Sequence, residues 1–91
     1  MTTGPSSRPR IAAKARLKWD RHGSKHMLLF PERGLVLNAS AASILQRCDG
    51  VRTVAEIATE IAQGTEEEPA RIVAEVVAFL EALRKRALVE I

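Results

Sequence analysis

Three kinds of side chain in this sequence could take part in bond-making: one cysteine, two histidines and a run of three glutamates. Cys48 recurs with Ala41, Ile44 and Leu45 at the spacing of one helix face, and no second cysteine stands near it, so it reads as a buried structural thiol. His22 and His26 flank a turn signal and have no third ligand within reach of the pattern, which leaves no metal site to propose. Glu66, Glu67 and Glu68 precede Pro69, where carboxylates complement the positive end of a helix, so they are not an acid–base pair. No G-x-G-x-x-G, phosphate-binding loop or G-x-S-x-G is present. The chain reads as a binding module, not an enzyme, with no cofactor and no metal.

The elements that would position such a module are legible in the hydrophobic pattern. Ala15, Leu17 and Trp19 alternate with Lys14, Arg16 and Lys18, the period of a half-buried strand with a basic outer face. Asp20–Ser24 reads as a turn, followed by a second strand over 25–30. Pro31-Glu32-Arg33-Gly34 is the next turn signal, with Gly34 expected to take a positive φ, and 34–37 the third strand. Asn38 is a helix N-cap before a first helix over 39–47, and Asp49-Gly50 closes it. Thr53-Val54-Ala55-Glu56 is a capping box opening a second helix over 54–62, which Gly64 ends. A third helix starts between Thr65 and Pro69 and runs to about Lys85; Leu88–Ile91 is a short strand or a docked tail. The fold expected is therefore α+β: a three-stranded antiparallel N-terminal β-meander followed by a three-helix bundle, winged helix–turn–helix-like. Residues 1–13, rich in Gly, Pro and Ser, read as a flexible tail, and 14–91 as one winged-helix-like peptide-recognition domain.

Composition narrows the class. The 91 residues are 46% apolar and 3% aromatic, which implies a core of Val, Ile, Leu and Ala. No apolar run reaches the length of a membrane span and no signal-peptide block precedes the fold, so no membrane role and a cytoplasmic location are expected. The net charge of +3 is uneven: residues 1–33 carry eight basic and two acidic groups, residues 34–91 six basic and nine acidic. A basic front end of this kind attracts an anionic partner or the acidic rear of another copy, and exchange of the N-terminal strand would give a homodimer.

Two kinds of binding compete. Helices with a β-hairpin invite a comparison with DNA-binding winged helices, but the candidate recognition helix opens with three glutamates, which repel phosphates. Peptide binding fits better. An edge strand over 34–37 has free backbone groups that an extended peptide can bond. The third helix carries one apolar stripe (Ile72, Val76, Phe79, Leu83) that suffices for the core; Val73, Val77 and Leu80 widen the arc and would line a groove beside that strand. About four backbone bonds at ~1 kcal/mol fall short of the ~8 kcal/mol of a micromolar complex, so buried peptide side chains must add the rest.

Leu29-Phe30-Pro31-Glu32-Arg33-Gly34, then Leu37-Asn38, Ala41, Ile44-Leu45, Asp49-Gly50, Val54-Ala55-Glu56-Ile57 and Phe79-Leu80, resemble in order and spacing the PqqD family of pyrroloquinoline quinone biosynthesis. The resemblance runs from about Leu17 to the end. It implies a peptide chaperone, a recognition element that binds the ribosomally made precursor peptide PqqA as an added strand. It further implies presentation of that peptide to the radical S-adenosylmethionine enzyme PqqE. A recognition domain for another modified-peptide pathway is the neighbouring possibility. Carried onto this chain, the resemblance puts Gly34, Leu35, Val36 and Leu37 on the strand wall, Val73, Val77 and Leu80 on the helix wall, and Arg71 and Arg84 at the rim.

Overall fold

The computed structural model describes residues 3–91. Met1 and Thr2, which belong to the segment expected as a tail, lie outside the described residues. Three strands, β2 (Arg16–Asp20), β3 (Lys25–Phe30) and β4 (Arg33–Leu37), form an antiparallel sheet in the order β2-β3-β4. Leu17, Leu28 and Leu35 stand in one register line, and with Phe30 and Leu37 they pack on the core. Alternation sends Arg16, Lys18, Met27, Leu29, Gly34 and Val36 to the opposite face. Trp19 shares the inward register but remains 49% exposed, because it lies at the sheet's rim against His26 (4.8 Å between ring centroids).

The β3–β4 turn differs from the sequence expectation. Only Pro31 and Glu32 separate the strands, and Glu32, not Gly34, takes the left-handed conformation with φ 63°. Proline followed by a positive-φ residue is the signature of a type II turn. Gly34 is needed for another reason. A Cβ there would meet Leu29 Cδ2 at 3.0 Å and Met27 Cε at 3.1 Å.

Each helix has a defined start. Asn38 Oδ1 accepts from Ala41 N at 2.8 Å to cap α1 (Ala39–Gln46). Thr53 and Glu56 form the reciprocal capping box of α2 (Val54–Ala62). Helix α3 (Pro69–Lys85) opens on proline and ends in a Schellman motif. There Leu88 N donates to Leu83 O at 3.0 Å, Ala87 N donates to Arg84 O at 2.9 Å, and Ala87 adopts φ 58°. Leu83 and Leu88, the apolar pair of that motif, are both buried. The core gathers Leu28, Leu45, Val54, Ile57, Val76 and Leu80, each of which stabilises the fold by about 1.5–3 kcal/mol.

The segment read as a flexible tail is bound to the body. Helix α2 has amide donors in its first turn that need partners, and the N-terminal segment supplies them: Ser7 O accepts from Val54 N (2.8 Å) and Pro5 O from Ala55 N (3.0 Å). Pro9 is fully buried and its carbonyl accepts from Gly50 N (2.9 Å). A short strand β1 (Arg10–Ile11) then pairs antiparallel with β5 (Val89–Glu90). The Gly/Pro/Ser segment, read as mobile, instead turns once at Pro5–Ser6, where Ser7 N donates to Gly4 O at 3.0 Å, and lends the carbonyls of Pro5, Ser7 and Pro9 to the body. Pro5, Ser7, Pro9 and the β1 residues are thus tied to α2, Gly50 and β5.

Candidate functional site

Among the described residues β4 is an edge strand. Its pairing with β3 closes on Phe30↔Arg33. A two-residue loop closes on a hydrogen-bonded pair and such pairs alternate, so Gly34 and Val36 turn their N–H and C=O away from β3. Val36 is 63% exposed, Gly34 is exposed, Leu35 half-buried and Leu37 buried. The four strand residues read from the sequence therefore form one free edge whose inward side chains, Leu35 and Leu37, are apolar.

Two contacts fix how α3 lies beside that edge. The Arg86 guanidinium, just past the end of α3, sits 5.6 Å from the centroid of the Phe30 ring, at the start of β4. At the other end, Ser40 and Ile44 of α1 share a cleft of about 90 Å³ with Ile72, Glu75 and Val76 of α3. The end of α3 therefore lies toward the β3–β4 turn, and its start toward α1, which follows β4. Glu75 and Arg86, which make those contacts, fall on one flank of the helix.

The helix residues expected to line the groove do not share that flank. At about 100° per residue, Phe79 lies about 40° from Glu75, on the same flank, whereas Val77 is about 160° away. Leu80 is fully buried and belongs to the core, so it does not line a groove. Phe79, given to the core from sequence, is half-buried. Val73 and Val77 are half-buried on the flank of Glu81, where the strap arrives through the Thr3 hydroxyl's bond to the Glu81 carboxylate. Arg84 is engaged on that same flank: it donates to Glu81, and these bonds, with Thr3's, hold the Glu81 carboxyl down to about 2. Arg71 is exposed, one turn before Glu75, at the outer rim of the strand side. The structure thus places the four strand residues on one edge, Arg71 on the flank of Glu75, and Val73, Val77 and Arg84 on the opposite flank, with Leu80 in the core. Glu75, Phe79 and Arg86 lie together on the flank of Arg71. Their shared helical flank is visible in the spacing, but which flank meets the sheet is decided by the α1–α3 contact.

Cys48 is buried, its Sγ donates to Ile44 O at 3.3 Å, and burial together with Asp49 pushes its thiol up to about 12. Glu60 accepts from Arg47 (3.3 Å) and Arg52 (2.8 Å) in a cross-brace between α1 and α2.

The geometry has close counterparts. A family profile described as Coenzyme PQQ synthesis protein D (PqqD) matches residues 25–89. A PqqA binding protein of Xanthomonas axonopodis pv. citri (strain 306) is 36% identical over 85 residues, covering 93% of this chain and 92% of the relative. The solution structure of the PqqD truncation of Methylobacterium extorquens PqqCD superimposes with a TM-score of 0.82 at 33% identity, covering 100% of this chain and 96% of that one. That protein is described as a functional, stand-alone recognition element for ribosomally synthesized and post-translationally modified peptides. Lasso peptide synthetase B1, determined in complex with the leader peptide, shares the fold with a TM-score of 0.77 at 20% identity, covering 93% of this chain and 100% of that one.

Proposed function

Because the chain belongs to the PqqD family, we propose that it binds the precursor peptide PqqA as a strand added to β4 and delivers it to the radical S-adenosylmethionine enzyme PqqE. In this reading it acts by binding rather than catalysis, in the cytoplasm, as a single recognition domain with a winged helix–turn–helix likeness. The peptide-binding residues proposed are Gly34, Leu35, Val36 and Leu37 on the strand, with Glu75, Phe79 and Arg86 replacing the helix wall read from sequence, and Arg71 at the rim. The observation that carries the reading is the free edge of β4 beside an α3 flank that keeps a half-buried phenyl ring.

Relatives named for binding PqqA support the choice of peptide. Nucleic acid suits the surface less well, since α3 opens behind Glu66, Glu67 and Glu68. A homodimer would form by exchange of the arm that carries β1, whose own ladder is only two residues long.

Titrating isotopically labelled protein with PqqA should shift the amides of 34–37 and 75–86. Val36→Pro tests the edge directly. The N–H it removes points away from the ladder, so the sheet is retained while an added strand loses a bond and meets the proline ring. Binding should weaken at least tenfold with the fold intact by circular dichroism. Unchanged affinity would overturn the placement on β4.

A further inference from the structure

The proposed groove carries opposite charge at its two ends. At the start of β4 stand Arg33 and Arg86, both exposed, with Lys85 beside them. At the far end Glu67 and Glu75 line the cleft that holds Ser40, flanked by Glu66 and Glu68. Glu32 and Arg71 oppose the pattern, but each is outnumbered at its end. Arg84 does not count, being bound to Glu81 on the other flank. Between the two ends the walls are apolar: Leu35 on the strand and Phe79 on the helix.

We infer that the groove selects an extended peptide by charge order, taking the pattern basic-x-apolar-x-acidic from N- to C-terminus. This rests on the strand-addition reading above and makes it specific. Direction follows from pairing. Every ladder among the described residues is antiparallel, and an antiparallel strand on β4 is the more stable choice per residue. Such a peptide enters at Leu37 and leaves at Arg33. Spacing follows from the pleat. Residues opposite Leu37, Leu35 and Arg33 are two apart and share the face turned toward α3. The first meets Glu67 and Glu75, the second meets Leu35 and Phe79, and the third meets Arg33 and Arg86. The two residues between them join the outer sheet face beside Val36 and Gly34 and need no fixed chemistry.

The test uses two fluorescein-labelled 15-residue peptides of equal composition, one centred on Lys-Thr-Leu-Thr-Glu and the other on Glu-Thr-Leu-Thr-Lys, with full-length PqqA as reference. Fluorescence anisotropy at low salt should show the first binding about threefold to tenfold tighter, the scale of two exposed ion pairs. The difference should fall below about twofold in 0.5 M salt, where screening is nearly complete over these separations. The charge-swapped double variant Glu75→Lys with Arg86→Glu should prefer the second peptide. Equal affinities, or a preference that survives the swap, would overturn the charge-order inference while leaving strand addition standing. If PqqA shifts the β4 amides and neither short peptide binds, the motif is likewise overturned. If PqqA itself leaves β4 untouched, the strand-addition reading falls first and this inference with it.

Discussion

Leu80 is closed off from solvent while its neighbour Phe79 keeps part of its ring at the surface, and their side chains have different tasks. Truncating Leu80 removes a fully enclosed side chain and leaves a cavity that α2, α3 and the sheet cannot close, so Leu80→Ala should lower stability by about 2–5 kcal/mol in chemical denaturation. Phe79→Ala should cost less than that and should instead weaken PqqA, since its ring is proposed as the apolar floor of the groove. Equal stability losses with unchanged peptide affinity would return Phe79 to the core. The pattern of apolar residues along α3 showed that the arc was wider than one contact needs. It did not show where the arc was centred, because Ile72, Val76 and Leu83 leave room for the true centre to lie on either side. The turn residue was hidden for a similar reason. Glu32 adopts a conformation that glycine holds without cost, and the glycine two positions later attracted the assignment although it serves a steric need against Leu29 and Met27.

At the scale of elements, the caps and strands were written plainly. Asn38, the Thr53/Glu56 box and the strand over 25–30 all rest on local spacing, which a sequence displays. The strap was not, since its partners are the first amides of a helix some 45 residues further on. Deleting residues 1–9 would leave the Val54 and Ala55 amides without protein partners and remove Pro9 from the core. A loss of about 2–4 kcal/mol is expected from two hydrogen bonds and one buried ring, read by urea denaturation. Sedimentation of a variant lacking residues 1–11, which removes β1 as well, addresses the exchanged dimer. If the full-length chain sediments as a dimer and the truncated one as a monomer, the arm is the exchanged element; a dimer that survives truncation would refute that mode.

The whole molecule measures 35 × 31 × 19 Å along its principal axes, and its response to pH is set by groups at opposite ends of the titration range. The Cys48 thiol is raised from 9.0 to about 12, so its neutral form is favoured in the folded state. The stability this lends is complete below about pH 9 and is lost as pH rises toward 12. Glu81 behaves in the reverse sense. Its carboxylate is favoured by Arg84 and Thr3, with the folded value lowered from 4.5 to about 2. Stability from that group is present above about pH 4.5 and is lost as pH falls toward 2, loosening the end of the strap first. Thermal unfolding followed across pH should therefore decline at both extremes, with Cys48→Ala removing part of the alkaline slope and Glu81→Gln part of the acid one. A Cys48→Ala variant with the same alkaline slope as wild type would refute the first assignment.

The strap has one more effect. The leading amides of α2, Val54, Ala55 and Glu56, are satisfied by Ser7 O, Pro5 O and Thr53 Oγ1. In many folds a helix mouth of this kind is where a nucleotide or a free phosphate is seated. Here that seat is stoppered by the chain's own carbonyls, so an oxyanion must first evict the N-terminal segment and break its ladder with β5 before it can settle there.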